Sequence, residues 1–225
     1  MTIRRKFRFL VCLLCFSFVG SAFVYANRIS RAVTVFYPVR FRFLIFDERS
    51  VEVSTLTANA HGGAGYLLGE KGDYCVVYDC YLREEQAENV KTALEKKGVK
   101  TKIYTKEVED LYLISKAEKS KRKEILGTLQ TLKNFIEILE TFAKGAQNGE
   151  FTQERLKDGL RPTEYVLRRI AKKYEKDFSQ LSKKCEEIAE QIARIRSEIV
   201  FAKELRYAKV SLCDGYICFC QQFSL

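Results

Sequence analysis

The stretch GGAGYLLGEKGDYCVVYDCYLREEQAENVKTALEKKGVKTKIY, Gly62–Tyr104, changes its hydrophobic period twice. Up to Tyr81 it alternates as two β-strands would, around a Gly-Glu-Lys-Gly turn. From Arg83 it reads as a charged amphipathic helix with Ala87, Val90 and Leu94 on one stripe, and Gly98 stops it. From Val99 the pattern is a strand again. Upstream, VTVFYPVRFRFLIF is rich in β-branched and aromatic residues, with Arg40 and Arg42 alternating with Phe41 and Phe43. ERSVEVSTLTANA then runs at loosely helical spacing into Gly62-Gly63. The expected order is strand 38–46, helix 48–60, strand 65–69, strand 73–81, helix 83–97 and strand 99–107. This is the split βαββαβ arrangement, a four-stranded antiparallel sheet with two helices on one face, in an α+β, ferredoxin-like domain spanning 35–108.

Alternation along 73–81 assigns the two faces of the central strand. Tyr74, Val76, Tyr78 and Cys80 share the face that the helices cover, and Cys75, Val77, Asp79 and Tyr81 share the other.

Beyond Glu109 the period changes to seven. Ile125, Leu129, Leu132, Ile136 and Leu139 step by 4 and 3, and after KGAQNGEFT and the pair Gly159 and Pro162 the same seam runs from Leu167 to Ala202. Residues 110–225 are therefore expected to form a long antiparallel helical hairpin, the shorter helix pairing with the longer. The seam at 125–202 serves as an intrachain core, with a protein partner or self-association as the alternative. At 205–225 Asp214-Gly215 has the form of a hairpin turn, but the seam spacing continues through Leu205, Ala208, Leu212, Tyr216 and Phe219, which favours a helix.

At the other end, Arg4, Arg5, Lys6 and Arg8 precede the uncharged run Phe9–Ala26, about 18 residues and long enough to cross a bilayer. Residues 1–26 read as a membrane anchor, contacting the membrane through 9–26, or as a signal peptide cleaved after Val24-Tyr25-Ala26. Either places the bulk of the chain outside the cytoplasm; the anchor gives a single-pass membrane protein with a short cytoplasmic N-terminus.

The net charge of +10 is distributed against nucleic-acid binding. Residues 1–26 carry +4 and residues 27–49 carry +3, whereas 70–109 hold eight Lys and Arg against nine Asp and Glu, a balance of −1. His61 is the single histidine, and outside the apolar run 9–26, whose Cys12 and Cys15 read as membrane residues, no Cys-x-x-Cys pair occurs, so neither a zinc nor a haem motif is expected and no cofactor is expected. His61-Gly62-Gly63 reads as a structural turn, and no catalytic set assembles around it. Cys75 and Cys80 point to opposite faces and are not expected to bond.

GDYCVVYDCYLREEQAENVKTALEKKG, Gly72–Gly98, is similar to the signature of SPOR domains. Tyr74 and Cys75 stand at that signature's two aromatic positions, Val76 and Tyr78 at its valines, and Tyr81 at its phenylalanine. Gln86-Ala87-Glu88 matches its Asn-Ala-Glu, while Leu94 and Gly98 close the helix. Val77 replaces the signature's glutamine and Asp79 its glycine. The resemblance covers about 30 residues well and implies a non-enzymatic envelope protein. Such a protein binds peptidoglycan glycan strands in cell division or sporulation. It also implies a glycan site on the outer sheet face, at Val77, Asp79 and Tyr81, with Tyr104 as a second stacking ring and Arg42 as a polar contact. The alternative is a membrane-tethered helical scaffold or protein-interaction protein whose SPOR-like domain no longer binds glycan.

Overall fold

The computed structural model describes residues 39–47, 50–70, 73–108 and 119–221 of the 225. The expected membrane segment at 9–26 lies outside these residues. Among them, no helix is long and apolar enough to cross a membrane. The fold of the described residues is α+β, with a four-stranded antiparallel sheet and six helices.

The first half follows the expected order: β1 (Val39–Phe46), α1 (Val51–Ala60), β2 (Tyr66–Glu70), β3 (Asp73–Tyr81), α2 (Glu84–Glu95) and β4 (Thr101–Val108). The sheet order is β2-β3-β1-β4 with every pair antiparallel. Ser50 caps α1 by accepting from the Val53 amide, and Glu84 and Glu85 place negative charge in the first turn of α2. Gly98 closes that helical segment at φ 77°, a left-handed conformation that glycine adopts without a Cβ penalty.

Strict alternation fails in β3. Leu44 and Ile45 are adjacent on β1, yet they face Asp79 and Val77, so Tyr78 is an extra residue and β3 carries a bulge. The phase reverses after it. Cys80 joins Val77 on one face, and Tyr81 joins Val76 and Tyr78 on the other, packed with Leu44, Ala58, Ala87 and Leu94 under α1 and α2. Tyr81, expected on the open face, is instead a core residue at 2 % exposure.

The second half departs further. Its helices are α3 (Lys119–Asn148), α4 (Gln153–Tyr174), α5 (Ser179–Ser197) and α6 (Ala202–Gln221). The expected break at 145–152 is present, with Thr152 capping α4 through the Arg155 amide. The break expected at Gly159 and Pro162 is absent: Pro162 lies inside α4, and Gly159 sits against the Phe142 ring, where a Cβ would clash. The seam expected to be one helix from Leu167 to Ala202 is cut twice. After Tyr174 the chain turns, and the Tyr174, Phe178 and Phe219 rings meet with centroids 5.3–5.9 Å apart. At Glu198–Phe201 it turns again, and Gln153 satisfies both backbone groups of Val200, accepting from its N–H at 2.7 Å and donating to its carbonyl at 3.2 Å.

The partners change accordingly. The antiparallel hairpin is α4 against α5, while α3 packs on α6 and touches α4 little. The two breaks fold the seam back on itself, and so the stripe is covered within the chain. The C-terminal segment is helical, as the seam spacing favours. Thirteen of the 20 residues of α6 are buried, because α6 lies between the sheet and the other helices. Gly215 permits that position: a Cβ there would stand 2.8 Å from Lys184 Cγ on α5.

Cys75, Cys80, Cys185, Cys213, Cys218 and Cys220 are all thiols. Burial pushes Cys185 from 9.0 up to about 12, aided by Glu186, and burial pushes Cys220 to about 12 as well. An unfolded thiol loses its proton near its ordinary value. Above pH 9 the folded chain therefore holds more protons than the unfolded chain, and stability present below pH 9 is lost as pH rises towards 12. The expected slope is about 1.4 kcal/mol per pH unit for each such thiol. Urea unfolding between pH 8 and 10 should show the decline, and Cys185→Ala should make it shallower while leaving the share from Cys220; a parent whose stability is level across that range contradicts the assignment.

Candidate functional site

The five residues of the expected glycan site do not form one surface. Val77 is fully buried beneath α6, Asp79 is 3 % exposed, and Tyr81 belongs to the opposite face. Arg42 is half-buried and engaged: its guanidinium donates to the Leu82 carbonyl at 2.8 Å and to Glu84 at 3.2 Å. Tyr104 alone of the five is exposed, on edge strand β4, with its ring 6.5 Å from that of Phe43. The outer sheet face is occupied by the chain's own helix, with Tyr216 of α6 set edge-on against Phe41 at 5.3 Å between centroids.

What the structure assembles instead is a buried ionic node at the β3 bulge. β2 pairs only with 73–77, so the far half of β3 is free of a strand neighbour on that side, and α3 and α6 meet it there. Asp79 Oδ1 accepts the Cys80 amide at 2.8 Å and lies 2.7 Å from Lys209 Nζ; Oδ2 lies 3.4 Å from Arg206 Nε. Lys209 and Asp79 form a short-range ion pair, with the ammonium also 4.7 Å from the Tyr81 ring centre. Arg206 donates to the Gly62 carbonyl and to Gln147 of α3, and it lies over the Tyr78 ring at 5.3 Å. One carboxylate thereby joins α6 to the sheet, and Arg206 ties both to α3 and to the turn after α1.

Burial by itself lowers the Lys209 ammonium, but the carboxylates of Asp79 and Glu140 outweigh it and hold the group above its ordinary value. Burial, reinforced by Asp79 and opposed by Arg206, raises the Tyr81 phenol well above its ordinary value. A cavity of about 120 Å³ adjoins the node, lined in part by Tyr78, Asp79, Glu140, Gln147 and Arg206. Glu140 on its wall holds Lys144 at 2.8 Å. Among the described residues, no group of three or more His, Cys, Asp or Glu is placed to hold a metal ion.

The sequence pointed to Asp79 only as a glycan contact, and its partners Arg206 and Lys209 were missed. The signal was Arg206 and Lys209, two cations three residues apart, which places them on one face of a helix, beside the seam residues Leu205 and Ala208.

No family model matches the chain, and no curated protein or solved structure matches it significantly.

Proposed function

We propose that this chain is a membrane-tethered, non-catalytic scaffold, held outside the cytoplasm by residues 9–26, in which the SPOR-like, ferredoxin-like sheet domain is the base on which the helical half is built. The observation that carries this reading is the occupation of the outer sheet face by α6. Thirteen buried residues of α6, together with the Asp79–Lys209 pair at 2.7 Å, hold that helix in place. Glycan recognition by the same face, which the resemblance at 72–98 implies, requires a surface that the fold fills with Val77, Phe41 and Tyr216. The alternative substitutions at Val77 and Asp79 fit their roles here: an apolar side chain under a helix, and a carboxylate paired to two cations.

Co-sedimentation with purified sacculi tests the proposal. Equal, background retention of the full chain on sacculi with and without amidase pretreatment is expected. Enrichment on amidase-treated sacculi would overturn the scaffold reading in favour of glycan binding.

A further inference from the structure

A second polar feature lies apart from the node, in an open cleft of about 400 Å³ where α5, α6 and the segment linking α1 to β2 converge. This volume falls in the range of small-molecule sites. The α5 residues that line it are Lys184, Glu187, Gln191 and Arg194, at offsets of 3, 7 and 10, which form one polar stripe beside the apolar seam. The α6 wall is Lys203, Glu204, Tyr207 and Ser211, again one stripe, and Asn59 of α1 stands opposite.

The floor is ordered. Ser211 is 4 % exposed, and behind it the Tyr66 hydroxyl donates to Asp214 at 2.8 Å while Lys184 Nζ donates to the Tyr66 oxygen at 3.2 Å. Lys184 is held in this position by passing its stem over Gly215, where no Cβ intervenes. Its charge is partly met by Glu187 at 3.9 Å. Arg194 and Lys203 form no ion pair with the described residues, and Glu204 is the one remaining carboxylate on the lining. Three cations and two carboxylates thus line one accessible volume with two carboxamides and two hydroxyls, and after the Lys184–Glu187 pair the cations Arg194 and Lys203 stand against the single carboxylate Glu204.

We propose that this cleft binds a small anion that also bears hydroxyl groups, a sugar phosphate or sugar acid in size and chemistry. Arg194 and Lys203 take the anionic group, Arg194 through its planar donor fork, and Asn59, Gln191, Tyr207 and Ser211 meet the hydroxyls. The site is built by α5 and α6 together, so it exists only in the folded helical half.

Calorimetric titration of the full chain with D-glucose 6-phosphate and with D-glucuronate tests the assignment, with D-glucose as the uncharged control. Saturable binding of at least one of the two anions is expected, absent for glucose and weakened at least about tenfold in the Arg194→Glu, Lys203→Glu double variant. Both positions are exposed, and an unchanged melting curve for the variant separates lost binding from lost folding. Failure of both anions to bind at millimolar concentration, or equal binding by the parent and the double variant, overturns the proposal. Neither result bears on retention by sacculi, so this inference and the scaffold reading fail separately.

Discussion

Asp79→Ala is expected to destabilise the fold by about 3–5 kcal/mol, the cost of leaving a buried charge without its partner. Lys209 is fully buried and Arg206 is 6 % exposed, so neither gains water when the carboxylate is removed. Arg206 keeps the Gly62 carbonyl and Gln147, whereas Lys209 keeps the Tyr81 ring and the more distant Glu140. Most of the loss therefore falls on Lys209. Pairing Asp79→Leu with Lys209→Met removes both charges at similar volume and should recover much of the loss, because a buried ion pair contributes little net energy over well-packed apolar groups. Urea denaturation of the parent, the single variant and the double variant measures this. A single variant within 1 kcal/mol of the parent, at the scale of an exposed pair, would show that water reaches the node.

Tyr216→Ala is expected to cost about 4 kcal/mol, in the range for deleting a large buried aromatic ring. Its ring is fully buried between α6 and the sheet, edge-on to Phe41, and this contact replaces an open sheet face. The hydroxyl has no hydrogen-bond partner among the described residues, and burial raises its pKa well above the ordinary tyrosine value. Tyr216→Phe should accordingly stabilise the protein by about 1 kcal/mol, since it removes a desolvated polar atom while keeping the ring. Thermal unfolding of the two variants should move in opposite directions from the parent. If both fall, the hydroxyl has a partner in solution and the packing account is incomplete.

The βαββαβ half was legible because its signals are local. Period-two alternation marks the strands, and Gly98 and the turn residues near 71 mark the stops within a few residues. The face assignment failed at one point for a reason that alternation cannot carry. A bulge adds a residue on one strand only, and whether Tyr78 is that residue depends on its pairing with Leu44 and Ile45 of β1, more than 30 positions away. Every side chain after the bulge changes face, so Tyr81 passed from the expected binding surface into the core. Arg42, opposite Tyr81 in the register, was expected as a polar contact of the outer-face glycan site, and its engagement with Leu82 and Glu84 was not visible in the sequence.

In the helical half the seven-residue seam marked most of the buried residues: Ile125, Leu129, Leu132, Ile136 and Leu139, then Leu167, Ile170, Leu181, Cys185, Ile188, Ile192 and Ile195, lie in the core, whereas Ile199, at the second turn, is 59 % exposed. It did not determine what buries them. A hydrophobic stripe records the solvent-averse face of a helix, and any apolar surface satisfies it equally, so continuity of the stripe across Tyr174–Phe178 and Glu198–Phe201 concealed two reversals of the chain. Those reversals close only because Gln153 meets the backbone of Val200 and because three aromatic rings meet at the first turn, contacts between residues 41–47 positions apart. The same long-range geometry brings α6 onto the sheet and sets Lys209 and Arg206 against Asp79. The sequence by itself determined the element types and their buried faces through local periodicity. The tertiary structure alone decided the strand phase after Tyr78, the pairing of the helices and the burial of the sheet's outer face, because each depends on which distant surface excludes water there.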